Sequence, residues 1–315
     1  MHSMQHQENL CKFVSSRGIL KSCDIYSHHV MSSVRQLLYY DFSNMHEGDT
    51  IYVSTSAIPH FKSIMGKITK RFILVSGDSD EECAPTLFSH NNQMTLPRQI
   101  AEFNEFINNP LILHWFAQNC IVHDHPKISP IPIGLDYHTI ANTPQHPWGG
   151  LASPFQQEAD LMTIRENAAP FQDRVIDSCY ANFHFQMNTK YGYERREAIA
   201  KIPKELMYYE LQPIPRLETW RRQSKMAFVV SPHGNGLDCH RTWEALILGC
   251  IVIVKKSPLD NLYKDLPVLI LDDWSQLTAD LLKQTVNEFA EKTFQYEKLT
   301  LKYWKDLISS THSLK

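Results

Sequence analysis

Apolar residues along this chain fall in short, β-branched runs separated by longer stretches with helical spacing. Such alternation predicts an α/β protein with mainly parallel sheets. In the first half, the runs predict strands around 19–26, 50–54, 71–75, 111–115 and 130–134, with helices at 30–40, 58–68 and 97–108. Pro97 opens the last helix, where the N–H that proline lacks would go unbonded in any case. Residues 138–172 change character, with a Pro-, Gly- and polar-rich stretch (HTIANTPQHPWGGLASPF) followed by one helical segment. This places a domain boundary there, giving units 1–150 and 151–315. The alternation then restarts, with strands at 174–185, 206–211, 226–231, 251–254 and 267–271 and helices at 192–201, 215–224, 239–248 and 275–291. A last amphipathic stretch, 292–308, carries Phe294, Leu301, Trp304, Leu307 and Ile308 at helical spacing and can pack back on the first unit. Two doubly wound units facing across a cleft suit a nucleotide and a second substrate.

Composition narrows the function. The 315 residues are too many for one ordinary domain and suit two of about 150. A net charge of −3 argues against a general nucleic-acid binder, which needs a basic face to displace counterions. A local basic pocket for one small anion stays open. Seven cysteines, none at CxxC spacing, suggest neither a zinc knuckle nor a redox motif and read as buried, reduced thiols. The first 20 residues hold no signal-peptide run, and no segment approaches a membrane span. A cytoplasmic location is therefore expected.

The most informative segment is MAFVVSPHGNGLDCHRTWEALILGCIVIVKKSP, residues 226–258. A buried strand runs into a turn with a proline and two glycines, then into a helix ended by Gly249 and a second strand. Strand, glycine turn and helix start together aim backbone N–H groups at an anion. Arg241 lies in the first helical turn, where the helix dipole disfavours a cation by ~0.3–1 kcal/mol. A diphosphate between Arg241 and the helix end removes that conflict. Glu244, three residues on, is expected on the same face as an acceptor for a ribose diol. Alone, the two residues would read first as a surface i,i+3 ion pair; the preceding strand, the glycine loop and the helix end reverse that preference. The Gly234-Asn235-Gly236 turn is neither G-x-G-x-x-G nor a Walker A loop, so dehydrogenase and P-loop readings are weak.

The run SPHGNGLDCHRTWEALILGCIVIV resembles the nucleotide-binding block of exostosin-like glycosyltransferases, especially a branch found in large algal DNA viruses and microbial eukaryotes. The family pattern R-x-x-E-A-L-x-x-G-C-I-P-V is matched by Arg241, Glu244, Ala245, Leu246, Gly249, Cys250 and Ile251, with Val252 in place of the usual proline. The likeness extends through PVLILDDWSQLT, and more loosely to HWFAQN (114–119) and SPIPIGLDYHT (129–139). The resemblance implies a GT-B fold of two Rossmann-like domains across a cleft. It also implies an inverting enzyme that moves a sugar from a UDP-sugar to a glycan hydroxyl, with no obligatory metal or other cofactor. Arg195 or Arg196 is similar to the family's second phosphate-binding arginine, near Lys190.

Other candidates follow from local chemistry. His233 and His240 flank the glycine loop and can hydrogen-bond a phosphate or the transferred sugar. Leu211 and Gln212 end a strand that can border the base. Asp78-Ser79-Asp80 follows a strand of the first unit, where a carboxylate facing the cleft can act as general base. His28, His29 and Asp136 stand behind these two aspartates. The same D-x-D could instead hold a metal in a GT-A transferase, and a catalytically silent sugar-nucleotide- or glycan-binding module is the other alternative. His123-Asp124-His125 reads as a polar surface turn rather than a metal cluster.

Overall fold

A computed structural model describes residues 7–89 and 94–311. Its first sheet contains β1 (Thr50–Ser54), β2 (Phe72–Gly77), β3 (Ile112–Ala117) and β4 (Ile128–Pro130), in that order and all parallel. The second contains β5 (Val175–Ala181), β6 (Met207–Tyr209), β7 (Met226–Val230), β8 (Ile251–Lys255) and β9 (Val268–Leu271). These are also parallel, in the order β6-β5-β7-β8-β9. Around the first sheet lie α1 (Ser16–Leu20), α2 (Ile58–Ile64), α3 (Leu96–Ile107) and α4 (His138–Asn142). The rest of the chain adds α5 (Pro154–Glu166), α6 (Gly192–Lys201), α7 (Arg216–Gln223), α8 (His240–Ile247), α9 (Ala279–Ala290) and α10 (Leu301–Ser310).

The strands form because their apolar runs can be buried on both sheet faces. Every residue of β2 and of β7 is buried, as expected of central parallel strands. Helix starts are set locally: Ser153 Oγ accepts the Gln156 N–H at the head of α5, and Thr278 Oγ1 accepts Leu281 N–H at α9. One apolar cluster runs through both units, joining Val75, Phe116 and Ile133 to Trp243, Val252 and Trp304. The chain end returns to its beginning, where Leu301 N–H donates to Lys12 O and Val14 N–H to Leu299 O, bringing α10 against α1. The result is a pair of Rossmann-like units whose C-terminal strand ends face each other, the GT-B arrangement.

Two expected elements are absent. The strand anticipated at 19–26 is instead α1 and a turn, because Ser15 Oγ caps the Gly18 N–H at 3.0 Å; only Ile25 bridges to Ile51. The helix anticipated at 30–40 is an irregular segment with Ser33 and Tyr39 in the left-handed region. Tertiary bonds take up its backbone in place of an i→i−4 ladder: Ser33 N–H donates to Asp78 O, and Leu37 N–H to His60 Nδ1.

Candidate functional site

In the second sheet the chain leaves β5 in one direction to reach β6 and in the other to reach β7. Such a switch point opens a crevice at the carboxyl ends of the two strands, where α/β sheets bind ligands. The segment after β5 leads to α6 with Lys190, Arg195 and Arg196, while the turn after β7 holds His233 to Gly236 and leads to His240 and Arg241. The fold therefore brings Lys190, Arg195, the 233–236 turn, His240 and Arg241 to the carboxyl ends of β5 and β7.

The glycines let side chains approach the turn closely. A Cβ on Gly234 would stand 2.8 Å from Arg195 Nη2, and one on Gly236 3.0 Å from Asn119 Nδ2. Arg195 is buried; its Nε donates to His233 O at 2.8 Å and its Nη1 to Gln186 O at 2.5 Å. Arg241 donates through Nη1 to Ser231 Oγ (3.2 Å) and Pro232 O (3.1 Å) and lies over the Phe183 ring. Among the described residues no acidic side chain forms an ion pair with either arginine. Burial, with Arg241 second, pulls Arg195 down to about 10, and burial also lowers Arg241. Glu194 acts on both, and Glu244 on Arg241, without forming an ion pair; desolvated cations balanced only in this way are costly unless an anion joins them. Arg196, by contrast, is exposed and donates to Met187 O, so only Arg195 of the pair points inward.

His233 is buried and held neutral: its Nδ1–H donates to Leu237 O at 2.6 Å, and burial pushes it down to about 4. Its Nε2 lies 3.5 Å from Glu194 Oε2, a carboxyl that burial raises to about 7. Asn235 is exposed at the tip of the turn. Lys190 reaches across to Glu82 of the first unit at 2.9 Å.

Arg241 and Glu244 do not share a face. Arg241 turns to the ends of β5 and β7, whereas Glu244 turns to α7. There its Oε1 accepts from Arg216 Nε (3.1 Å) and Nη2 (2.5 Å), and its Oε2 from Trp220 Nε1 (3.0 Å). The expected ribose hook is thus the counter-ion of a buried arginine, and the two residues are no surface ion pair either. Arg216 escaped the sequence reading because its partners, Glu244, Gln157 and the Asp136 carbonyl, are distant along the chain.

The opposite wall comes from the first unit. Asp78 has φ +49° and is buried; its Oδ1 accepts from Ser32 Oγ at 2.8 Å and its Oδ2 lies 3.6 Å from Arg17 Nε. Asp80 is exposed at the mouth of the cleft, where the surrounding protein raises its carboxyl while His240 opposes that shift. Asp136 is committed to Thr139, accepting both its N–H and its hydroxyl. His28 and His29 are exposed, Leu211 stands 99% exposed beyond β6, and Gln212 is exposed beside it. His123 to His125 form a largely exposed turn with Asp124 at φ +62°. Among the described residues no group of three or more His, Cys, Asp or Glu is placed to hold a metal ion. All seven cysteines are free. A groove of about 650 Å³ opens beside Arg174, Arg221 and Lys225, at the amino ends of β5 and β7 and so away from the crevice.

No family model and no curated protein matches this chain. Among solved structures it is similar to OtsA in its apo form, at 10% identity and TM-score 0.43 over 86% of this chain and 74% of that one. The same values hold for a structure described as trehalose-6-phosphate from E. coli bound with UDP-2-fluoro glucose. An alpha1,3-fucosyltransferase is similar at 11% identity and TM-score 0.38, over 93% of this chain and 94% of that one.

Proposed function

We propose that the protein is an inverting glycosyltransferase that moves a sugar from a UDP-sugar to a hydroxyl of a glycan acceptor. One observation carries this reading: Arg195 and Arg241, desolvated and without an acidic ion-pair partner among the described residues, meet at the switch point of a parallel sheet beside a glycine turn. A nucleoside diphosphate supplies the missing negative charge. In a single displacement the leaving diphosphate gains charge, and preorganised cations stabilise that change most. Lys190, bridging to Glu82, sits where the two units meet and can follow the donor as the cleft closes. The acceptor enters from the side of the Asp78–Asp80 loop, where Asp80 is the carboxylate left open to it. The two arginines give the diphosphate its counter-charge, so donor binding needs no metal. The choice of UDP comes from the sequence resemblance.

Calorimetric titration with UDP tests this. Arg241→Ala should weaken binding by ~1.5–3 kcal/mol, the usual worth of hydrogen bonds to a charged group. Unchanged UDP affinity in a folded variant would remove the donor site from this crevice. UDP binding without sugar transfer, across a broad donor and acceptor panel, would instead favour a binding module.

A further inference from the structure

We infer that His240 is the base that takes the acceptor's proton, through Nε2; this rests on the transferase reading above. His240 is the first residue of α8, beside the diphosphate crevice, yet its ring is fixed by the other unit: Nδ1 lies 2.7 Å from Gly134 O. A carbonyl oxygen only accepts, so Nδ1 carries the hydrogen and the neutral ring keeps its lone pair on Nε2. Gly134 is packed tightly against the start of the chain: its φ is +63°, a Cβ there would lie 2.3 Å from Val14 O, and the Leu135 N–H donates to that same oxygen at 2.8 Å.

Nε2 has no protein partner among the described residues, and the side chain is part-exposed in the cleft. A lone pair there repels a phosphate oxygen but accepts a hydroxyl proton. Of the two contacts expected of His240, a phosphate or the transferred sugar, the phosphate therefore fits its tautomer poorly.

The surrounding charges suit a ring that becomes cationic during the reaction. His240 interacts electrostatically with Asp80 from the loop after β2, with Asp136 and His138 from the segment entering α4, and with Asp238 on its own loop. Asp136 is occupied by Thr139, and Asp238 by the N–H groups of Ile133, Cys239 and Trp243. Asp80 has no such partners, which leaves it as the counter-charge for the imidazolium. His138, lowered by burial, turns its Nδ1 to Asp136 Oδ1 at 3.2 Å and so engages that carboxylate as well. Asp78 is engaged with Ser32 and Arg17 and has no comparable freedom.

The step balances. The acceptor O–H proton moves to Nε2, and the oxygen electron pair forms the bond to the anomeric carbon. The bond from that carbon to the diphosphate oxygen breaks, and its electron pair leaves with the nucleotide toward Arg241 and Arg195. The imidazolium then returns its proton to water.

His240→Asn is the informative variant, because its amide N–H can still reach Gly134 while no acceptor remains at the Nε2 position. UDP affinity, by calorimetry, should stay within about twofold. Single-turnover transfer from a panel of UDP-glucose, UDP-galactose, UDP-xylose and UDP-N-acetylglucosamine should fall ~10²–10⁴-fold, the usual range for loss of a general base. Added imidazole should restore part of the rate in His240→Ala. Transfer above a tenth of wild type in His240→Asn would overturn the assignment, as would UDP affinity falling in step with turnover. A ~10²–10⁴-fold loss in Asp80→Asn with His240→Asn still active would give the role to Asp80. Wild type that transfers sugar from no donor of the panel would overturn the base and the transferase reading together.

Discussion

The Asp238 carboxylate joins the two sheets: its Oδ2 accepts the Ile133 N–H at 2.7 Å across the cleft and, like Oδ1, lies 2.9 Å from Trp243 Nε1 on its own side. Asn119 completes the latch, its Oδ1 accepting the Asp238 N–H at 2.8 Å. The glycine turn is thereby held against the ends of β3 and β4.

Asp238→Ala should destabilise the fold by ~2–5 kcal/mol, since it leaves several buried donors without an acceptor. Urea unfolding measures this. A midpoint within error of wild type would show that the latch is dispensable.

Glu244→Ala should also act on stability before ligand affinity. It strips the buried Arg216 guanidinium of its counter-ion, a change worth ~3–5 kcal/mol. UDP affinity of the folded variant should stay within about threefold in calorimetry. Lost affinity with unchanged stability would return Glu244 to the ribose.

Glu194 makes stability depend on pH. Its folded-state carboxyl is raised from 4.5 to about 7 by burial, so the unfolded chain ionises first. Below pH 4.5 the group is protonated in both states and contributes nothing; stability is then lost as pH rises toward 7. Asp238, raised to about 6 by burial, adds a term of the same sign. Glu194→Gln should therefore match wild type at pH 4 and exceed it at pH 8 by about 2–4 kcal/mol. Equal stabilities at pH 8 would show that folding does not raise the Glu194 carboxyl.

On the proposed donor site, turnover should survive EDTA, because Arg195 and Arg241 would supply the charge that a metal gives the diphosphate elsewhere. Full loss with EDTA and rescue by Mn²⁺ would favour a metal site at Asp78 and Asp80 instead.

The sequence by itself determined the α/β class, nearly every strand of both sheets and the glycine turn between β7 and α8. These features are local: the apolar period and a strand–turn–helix within 226–258 are written in consecutive residues. The resemblance narrowed the second arginine to Arg195 or Arg196, and burial distinguishes the two. Tertiary structure decided the partners. Glu244 meets Arg216, 28 residues away, because α8 packs beside α7, and His240 meets Gly134, 106 residues away, because the sheets pack with their carboxyl ends opposed. The segment 30–40 has helical spacing yet stays irregular, since bonds to Asp78 and His60 hold its backbone better than its own turns would. Side-chain pairing across such distances depends on which surfaces meet after folding, and no spacing along the chain records that.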